Sequence, residues 1–487
     1  MTALLDHIRT RVRQHPDRIA VDDGCVRLSY VQLLAQVDGI ADQLHADGCR
    51  TLALLANNSS AWIALDLACL AAGVQCIPLP GFFTDAQLRH ALVTSGADRV
   101  VDDNPQRLRA LLPKAQPCAS IAGLAAFANP DATPTQSPTG TCKITFTSGS
   151  TGAPKGVCLS AAALYAVAAS LLQLTSDIDV ERHFSALPYA TLLENIAGIY
   201  LPLLRGATVI ALPPQHIGFN GARLEQPQQL LQALSRTQPH SLIVLPQFLH
   251  LFLAAHRDGW RAPDSLRFIA VGGSKVPPTW LAACRELGLP VYEGYGLSEC
   301  ASVVSLNTPD RDRPGSCGQV LPHCRVTLEA GEIVVHGNSY LGYLGEPPRA
   351  ADAPVHTGDL GSLEDGFLRI EGRRKNLLVS SFGRNITPEW PETALLASGL
   401  FRHCVVLGDA RPHCVALLEP LQPTAPDLIA ATVAAANREL PDYAQIVRWH
   451  CLEQPLGALP GLLTSNGRPR RAAIAAHFQA QIDQLYA

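Results

Sequence analysis

The alternation of apolar and polar stretches along the chain predicts a parallel α/β sheet in its N-terminal part. Apolar runs of strand length occur at 51–55 and 74–79, and a helical pattern lies between them at 61–73. Strands that alternate with helices in this way are typical of parallel sheets. Two further apolar runs, 242–245 and 266–271, are also predicted to be buried strands.

The same pattern predicts elements outside this alternation. Ser29 is a candidate cap for the helix that follows it. Residues 326–336 alternate about a Gly-Glu turn, as in a β-hairpin. Residues 103–138 are rich in Pro, Ala and polar groups, so we expect a surface excursion there. A compact α+β unit is predicted near the C-terminus, from strands at 403–419 and 446–452 and an Ala-rich helix at 428–438.

Length and composition describe a protein of at least two domains. At 487 residues the chain exceeds one ordinary domain. Its 38 basic and 42 acidic residues give a net charge of −4, so neither nucleic acid nor an anionic membrane is expected as the main partner. The 14 cysteines include no Cys-x-x-Cys pair, which favours reduced thiols in a cytoplasm over disulfides or a zinc site. A charge interrupts the first apolar run, so no secretory signal is expected, and no stretch offers the ~18 apolar residues of a membrane span.

The strongest candidate for chemistry is the segment from Thr147 to Gly156, Thr-Ser-Gly-Ser-Thr-Gly-Ala-Pro-Lys-Gly. A predicted strand, 142–146, leads into it, and the Ala/Leu-rich segment 157–174 is expected to be helical. Glycines let backbone N–H groups turn toward an anion, hydroxyl groups donate further bonds, and Lys155 adds a positive charge. The segment is not a Walker loop, because Pro154 and Gly156 flank the lysine. A flexible linker is the structural alternative, but the bordering strand and the Pro-Lys-Gly ending favour a polyphosphate site.

This loop resembles the signature of the acyl-adenylate-forming superfamily, which includes acyl- and aryl-CoA synthetases, adenylation domains of nonribosomal peptide synthetases, and luciferases. Further matches follow in order along almost the whole chain. The resemblance implies an α/β fold with a large N-terminal domain of layered β-sheets and helices, residues 1–374, and a small mobile α+β C-terminal domain, residues 375–487. It also implies that the loop contacts ATP through Thr147, Ser148, Gly149, Ser150, Thr151, Gly152 and Lys155.

Two glycine-containing segments resemble the adenine site of the superfamily. Gly272-Gly273-Ser274 follows a predicted strand, and bare backbone there can approach a flat heterocycle closely. Residues 291–299, Val-Tyr-Glu-Gly-Tyr-Gly-Leu-Ser-Glu, match a second motif. In that motif Tyr295 would stack on adenine, next to Gly296.

Four polar residues would complete the nucleotide site. Ser298, usually threonine in relatives, would bond the α-phosphate, and Glu299 would hold Mg²⁺, a hard cation that prefers carboxylate oxygen. Asp359 resembles the carboxylate that accepts both ribose hydroxyls. Arg373 matches an arginine that contacts the nucleotide. Each signal is weak alone, since an exposed Glu is usually solvated and Thr-Gly-Asp is a common turn, but their order is specific.

The acid substrate is predicted from residues 187–195, Leu-Pro-Tyr-Ala-Thr-Leu-Leu-Glu-Asn. The segment resembles the part of the superfamily that borders the carboxylate substrate, with Tyr189, Thr191 and Glu194 along the substrate path. The glutamate resembles fatty acyl-CoA synthetases, and no aspartate at 187–204 is present to pair with the ammonium of an amino acid. We therefore expect a medium- or long-chain fatty acid. For each side chain, an ordinary place in the core is the alternative.

The resemblance also implies a hinge and a path for a thiol. Lys375 would be the pivot about which the C-terminal domain rotates after adenylation. Gly383 would lie where a pantetheine arm passes close to backbone. The arm would belong to coenzyme A or to the phosphopantetheine of an acyl carrier protein.

The chain departs from the superfamily at residues 464–471, Thr-Ser-Asn-Gly-Arg-Pro-Arg-Arg. Relatives have a lysine that bridges the carboxylate and the α-phosphate where this chain has Arg468. Arginine keeps the charge and can hold two oxygens, but it is planar and bulkier than lysine. Either Arg468 does the lysine's work, or another basic residue such as Arg470 takes it over.

Together these features predict an ATP-dependent ligase that activates a carboxylic acid as acyl-AMP and transfers it to a thiol, with Lys155, Glu299 and Arg468 as the catalytic residues. Three alternatives remain open. The acceptor could be a carrier protein that takes an acyl or aryl acid, or the adenylate could close to a β-lactone without any thiol. The chain could also be a nucleotide-binding relative without turnover.

Overall fold

The computed structural model describes residues 2–147, 154–220, 223–350, 352–381, 384–464 and 467–486. Its helices are α1 Ala3–Gln14, α2 Tyr30–Ala46, α3 Ser60–Ala72, α4 Asp85–Ser95, α5 Pro105–Leu111, α6 Ala161–Leu174, α7 Leu201–Arg205, α8 Pro227–Thr237, α9 Pro246–Arg257, α10 Pro278–Glu286, α11 Glu389–Leu396, α12 Pro426–Asn437, α13 Arg471–His477 and α14 Gln479–Tyr486. A π-helix, Glu194–Tyr200, leads directly into α7.

The strands are β1 Ile19–Asp22, β2 Arg27–Ser29, β3 Thr51–Leu54, β4 Gln75–Pro78, β5 Arg99–Asp102, β6 Gln116–Ile121, β7 Leu124–Ala128, β8 Thr141–Thr147, β9 Lys155–Ser160, β10 Arg182–Phe184, β11 Thr208–Ile210, β12 Phe219–Asn220, β13 Arg223–Leu224, β14 Ser241–Val244, β15 Phe268–Val271, β16 Val291–Leu297, β17 Ser302–Leu306, β18 Gln319–Val320, β19 Cys324–Glu329, β20 Glu332–Gly337, β21 Gly342–Tyr343, β22 Val355–Glu364, β23 Phe367–Arg373, β24 Leu378–Val379, β25 Asn385–Ile386, β26 Phe401–Leu407, β27 Cys414–Pro420 and β28 Ile446–Cys451.

Two sheets form the large N-terminal domain. The first has the strand order β19-β20-β22-β23-β18-β17-β16-β15-β14-β10-β11-β1-β2, and its segment from β16 to β1 is parallel. The second has the order β21-β9-β8-β4-β3-β5-β7-β6, with β8, β4, β3 and β5 in parallel. One hydrophobic core joins both sheets to α2, α3 and α6. The predicted α/β fold with parallel strands is therefore confirmed.

The C-terminal domain is a three-stranded sheet, β26-β27-β28, with helices on both faces. Alternate residues of β26 point to opposite sides, as a strand requires. Cys404 and Val406 enter a core with α11 and α12, whereas Val405 and Leu407 enter a core with α13 and α14. The predicted small α+β domain is confirmed. None of the helices in the described ranges combines the length and hydropathy needed to span a bilayer.

Local signals in the sequence had mixed success. Ser29 caps α2 as predicted, and Gln32 completes a capping box with it. The helix expected at 157–174 begins only at Ala161, because residues 155–160 form β9, which pairs antiparallel with β8. The segment 103–138, expected to be a surface excursion, is mostly exposed or half-buried, but it is more regular than expected, since α5, β6 and β7 lie there and the two strands extend the second sheet.

A buried polar cluster ties the second sheet to the helices of the core. Lys143 on β8 is fully buried, and its ammonium donates to Asp66 Oδ1 at 2.5 Å, to Asn195 Oδ1 at 2.5 Å and to the Tyr200 hydroxyl at 2.9 Å. Tyr200 and Asn195 in turn donate to Asp66 Oδ2 at 2.6 and 3.1 Å. Burial alone would lower the pKa of Lys143, but the Asp66 carboxylate outweighs this and raises it above its ordinary value.

We expect Lys143→Met to destabilise the protein by about 3–5 kcal/mol, because it leaves the Asp66 carboxylate buried without its cation. The free energy of unfolding in urea measures this effect. Lys114→Met is the matched control, because Lys114 pairs with Asp131 at 3.2 Å on the surface, where both side chains are exposed. Adding Asp66→Asn to Lys143→Met removes the unpaired charge and should recover part of the loss. Equal stability of the two single variants would contradict the role given to this cluster.

Candidate active site

A cleft of about 2500 Å³ runs between the N-terminal and C-terminal domains. It gathers most of the residues predicted from sequence, although they are spread over more than 300 positions. Those on its wall are Thr147, Lys155, Thr191, Gly272, Gly273, Ser274, Tyr295, Gly296, Ser298, Glu299, Asp359, Arg373, Lys375 and Arg468. Ser148, Gly149, Ser150, Thr151, Gly152 and Gly383 lie outside the described residues, and their roles stay predictions.

The strands on either side of the glycine-rich loop bring its two ends together. Thr147 ends β8 and Lys155 begins β9, and the two residues are direct partners in the antiparallel ladder. The ammonium of Lys155 lies 3.0 Å from Glu346 Oε1 and 4.7 Å from the centre of the Tyr343 ring. The lysine is solvent-exposed, so this surface pair is weak and the charge remains available to an anion in the cleft.

Tyr343 joins Lys155 to Glu299, and sequence reasoning missed it. Its strand, β21, pairs with β9 beside the loop, and its hydroxyl donates to Glu299 Oε1 at 2.9 Å. Burial and the Glu299 charge both raise the pKa of Tyr343, so the hydroxyl keeps the proton that it donates. In the sequence the only local signal is a Gly-Tyr pair, which lies far from Lys155 and Glu299 along the chain. The pairing of β21 with β9 is what brings Tyr343 to these residues.

Asp359 is the buried carboxylate of the cleft. It is 3% exposed, and the Tyr295 hydroxyl donates to its Oδ2 at 2.7 Å while Arg373 Nε lies 2.8 Å from its Oδ1. Burial and the Asp359 charge raise the pKa of Tyr295 well above its ordinary value. The carboxylate is therefore fixed at both oxygens, each of which keeps a lone pair for a further donor.

Close backbone contacts explain why glycines occupy the predicted adenine wall. A Cβ at Gly272 would lie 2.9 Å from the carbonyl oxygen of Gly294, and one at Gly296 would lie 1.9 Å from that of Ser302. Gly273 has a φ of +83°, which favours glycine. These positions keep bare backbone at the end of β15 and along β16, beside Tyr295.

Arg468 reaches the cleft from the C-terminal domain. Desolvation and the neighbouring charge of Arg373 lower the pKa of Arg468, and Asp359 partly offsets them, so its guanidinium lies close to both residues. The side chain nevertheless keeps contact with the water of the cleft, and its group stays charged. Among the described residues it has no hydrogen-bond partner for the guanidinium, which leaves that group free for a ligand.

Lys375 and Arg471 differ in their surroundings. Lys375 lies in a 3₁₀ turn, Arg374–Asn376, at the junction of the two domains, and desolvation and the charge of Arg373 lower its pKa. Arg471, by contrast, forms a bidentate pair with Glu392 at 2.6 and 3.1 Å inside the C-terminal domain. Arg471 is therefore a structural residue and is not available as a substitute for Arg468.

Two residues expected along the acid path lie behind the wall of the cleft. Tyr189 is 1% exposed, packs against Trp62 with ring centres 5.2 Å apart and donates to Ser185. Its backbone N–H binds Asn58, which turns the side chain into the core. Glu194 is fully buried in the π-helix, and its Oε1 lies 3.4 Å from His183 Nε2. Burial raises its pKa, which His183 only partly offsets. Of the three predicted positions, the cleft contains Thr191.

Comparison with known proteins identifies the family. The AMP-binding enzyme family matches residues 8–344, and the C-terminal domain of AMP-binding enzymes matches residues 375–487. The chain belongs to the AMP-binding enzyme family. Its fold agrees with the resemblance to acyl-adenylate-forming enzymes noted from the sequence.

Individual members of the AMP-binding family are similar over most of the chain. A feruloyl-CoA synthase from Amycolatopsis sp is 31% identical over 433 residues, 83% of this chain and 85% of the relative. A 2-succinylbenzoate–CoA ligase from Bacillus subtilis is 26% identical over 417 residues, 80% of this chain and 81% of the relative. The crystal structure of the anthranilate CoA ligase AuaEII with anthranoyl-AMP superposes with a TM-score of 0.80 at 17% identity, and covers 99% of this chain and 98% of that one.

The donor set of the cleft fits the Mg²⁺ that this family implies. In the described ranges no cluster of three or more His, Cys, Asp or Glu side chains could form a protein cage for a metal. Mg²⁺ commonly takes one or two carboxylates and completes its shell with water and substrate phosphates. Glu299 offers such a carboxylate, since Tyr343 occupies one lone pair of Oε1 and the remaining acceptor sites stay available.

We expect Glu299→Gln to lower ATP–pyrophosphate exchange by at least about a hundredfold, because it removes the charge that a hard cation requires while it keeps the shape and the bond from Tyr343. The unfolding temperature should not change. Glu329→Gln is the control, because Glu329 is exposed at a hairpin turn away from the cleft. Near-normal exchange in Glu299→Gln would reject the metal assignment.

Proposed function

We propose that this protein is an ATP-dependent ligase that activates a carboxylic acid as acyl-AMP and transfers the acyl group to coenzyme A. The observation that carries the proposal is the convergence of Lys155, Glu299, Asp359 and Arg373 with Arg468 from the other domain in one cleft. In the first step a carboxylate oxygen attacks the α-phosphorus of ATP, and pyrophosphate leaves. In the second a thiol attacks the acyl carbon, and AMP leaves.

Each charged side chain has a task in the first step. Lys155 neutralises charge on the β- and γ-phosphates, and Asp359 accepts the ribose hydroxyls and fixes the nucleoside. Arg468 binds the carboxylate and the α-phosphate while negative charge moves between them. Mg²⁺ held by Glu299 would screen the phosphates. Catalysis therefore rests on positioning and charge stabilisation, and no side chain becomes covalent.

The second step requires the domains, proposed as residues 1–374 and 375–487, to rotate about Lys375. Hydrogen bonding between the domains supports this proposal, because it can be broken at low cost. Trp280 Nε1, on α10, donates to the carbonyl oxygen of Ala397 in the C-terminal domain at 3.0 Å, a polar contact that a rotation would break. Gly383 would then line the path of the thiol. Coenzyme A is favoured over a carrier protein because the relatives are named CoA synthases and ligases.

A branch of the cleft supports a medium- or long-chain fatty acid as the substrate. Leu193, Ala197, Leu201 and Arg205 follow one another at intervals of four along the π-helix and α7, and all line the cleft. Leu171 and Ile178 face the same branch. The twelve steps from Leu193 to Arg205 correspond to roughly 18 Å at the rise of an α-helix, which suits an acyl chain and exceeds a single aromatic ring.

An aromatic acid is the second candidate. The relatives favour it, since they include feruloyl-CoA and 2-succinylbenzoate–CoA enzymes. Such an acid would fill only the part of the branch nearest Thr191. Leu245 and Phe248, which also line the cleft, offer apolar contacts for a ring.

An acid panel decides between the candidates. Pyrophosphate release would be measured with fatty acids of increasing length and with hydroxycinnamic and benzoic acids, with and without coenzyme A. We expect the longer fatty acids to react best and to yield a thioester only with coenzyme A. Ala197→Phe should abolish the reaction of long acids and spare short ones, because the ring closes the branch, whereas Leu201→Ala should not exclude long acids.

Several outcomes would contradict this assignment. Preference for an aromatic acid that Ala197→Phe leaves unchanged would replace the fatty acid with the second candidate. Formation of acyl-AMP without any thioester would point to a carrier protein or to lactone closure. Failure to release pyrophosphate with every acid would contradict the proposed reaction.

Substitution of Arg468, which stands where relatives have lysine, is expected to affect the two half-reactions differently. We expect Arg468→Ala to lower pyrophosphate exchange by about 10²–10³-fold, because one charge-assisted donor to the transition state is lost. Thioester formation from supplied acyl-AMP should continue. A lower rate for Arg468→Lys than for wild type would indicate a pocket fitted to the guanidinium, and a higher rate would indicate that arginine is a compromise. Normal exchange in Arg468→Ala would remove Arg468 from the mechanism.

A further inference from the structure

A histidine holds the loop that carries Arg468. Leu463 and Pro469 form an antiparallel bridge on either side of it. Thr464 and Arg468 close it through a backbone bond of 2.8 Å, and Gly467 N–H donates to the carbonyl oxygen of Thr464 at 2.9 Å. At this turn His403 Nε2 lies 3.1 Å from the carbonyl oxygen of Gly467. That carbonyl belongs to the peptide that joins Gly467 to Arg468.

The other side of the same imidazole meets a buried carboxylate. His403 Nδ1 lies 2.9 Å from Glu419 Oε2 on the neighbouring strand β27. Glu419 is 4% exposed and also accepts the N–H of Leu456 at 3.0 Å, while Arg402 Nε lies 3.4 Å from its Oε1. Burial would raise the pKa of Glu419, but the bonds from His403 and Leu456 outweigh it and hold the pKa below its ordinary value. Glu419 is therefore an ionised acceptor at neutral pH.

The two contacts determine how many protons the imidazole carries. A carbonyl oxygen and a carboxylate can only accept hydrogen bonds, so each ring nitrogen must donate. Only the imidazolium has two N–H groups. A neutral ring that keeps its proton on Nδ1 would turn the lone pair of Nε2 toward the Gly467 carbonyl, and that contact would become repulsive.

We propose that His403, as an imidazolium, is a positioning residue that holds the Gly467–Arg468 peptide and thereby aims the Arg468 guanidinium into the cleft for adenylation. The inference rests on the proposed function of Arg468. His403, Glu419 and Gly467 all belong to the C-terminal domain and line the cleft. The contact between His403 and Gly467 therefore moves with Arg468 when the domain moves. His403 itself touches no reacting atom.

The charged groups around the ring leave both of its nitrogens facing acceptors. Glu419 faces the ring from β27. Arg402, which lies with His403 on β26, is directed to Glu419 Oε1, the oxygen that does not contact the ring. Glu392, on the packed helix α11, is occupied by Arg471 and by the N–H of Val406. The cation next to the Gly467–Arg468 peptide is the guanidinium of Arg468 itself. The contact with Gly467 is thus complete while both ring nitrogens carry a proton, and it is lost when Nε2 gives up its proton.

Two isosteric variants separate the two contacts. In His403→Gln the amide nitrogen takes the place of Nε2 and donates to Gly467 at any pH. In His403→Asn the amide nitrogen takes the place of Nδ1, so the contact with Glu419 remains and the one with Gly467 is lost. We expect His403→Asn to lower acid-dependent ATP–pyrophosphate exchange by about tenfold, chiefly in kcat, since a hydrogen bond from a charged donor is removed. His403→Gln should stay near the wild-type rate.

The pH profile and a double-mutant cycle test the coupling to Arg468. Wild-type exchange should fall on the alkaline side at the pH where NMR shows that the His403 ring loses its proton, and His403→Gln should lack that fall. In an Arg468→Ala background, His403→Asn should have no further effect. Thioester formation from supplied acyl-AMP and the unfolding temperature should be unchanged in both His403 variants.

Three results would overturn the proposal. They are an alkaline fall that persists in His403→Gln, full exchange in His403→Asn, and an effect of His403→Asn that adds to that of Arg468→Ala. Absence of wild-type exchange with every acid would instead reject the proposed function. The NMR titration remains decisive in that case, because the amide signals of Gly467 and Arg468 should move with the ring proton of His403 in the wild type and not in His403→Gln.

Discussion

The structure depends on a single buried ammonium group. Lys143 lies in an apolar core, and its charge is tolerable there only because Asp66, Asn195 and Tyr200 accept its three protons. These partners come from α3 and from the π-helix, while the lysine lies on the strand that ends at Thr147. The cluster therefore fixes the beginning of the glycine-rich loop relative to the helix that walls the apolar branch. The proposed phosphate site and the proposed acid site, which lie on different elements, are thereby held at one separation.

Charge in the cleft suits the anion that we propose binds there. Lys155, Arg373 and Arg468 are among the cations that line the cleft, and the buried Asp359 is already paired with Arg373 and Tyr295. Desolvation lowers the pKa of Arg468, and repulsion from Arg373 lowers it further. A polyphosphate would relieve this repulsion. Lys155 and Arg468 are solvent-exposed, so solvent and salt screen the repulsion between the cations.

Short-range signals in the sequence predicted much of the fold, and long-range pairing explains what they missed. The capping box at Ser29 and the strand–helix–strand pattern at 51–79 depend on neighbours in the chain, and both predictions were confirmed. Residues 157–160 look like the start of an Ala-rich helix, but pairing with β8 makes them a strand. Tyr343 and Lys143 have partners far away in sequence, so periodicity cannot reveal them. Thr191 and Tyr189 are two residues apart, and only the bonds of Asn58 decide which one turns inward.

The contact from His403 to the Gly467 carbonyl and the presence of arginine at position 468 have a common physical explanation. A lysine ammonium is a compact charge with rotatable donors, so it tolerates small errors in the direction of its backbone. A guanidinium is planar, and it binds two oxygens well only when its plane is correctly oriented. Replacing lysine with arginine at this position therefore increases the need for a fixed peptide. A bond from an imidazolium to the carbonyl of Gly467 fixes the peptide that leads into Arg468, and the buried Glu419 accepts the other N–H of the ring. On this argument the departure from the family's lysine is a rebuilt adenylation site in which the orienting contact lies one residue before the catalytic side chain.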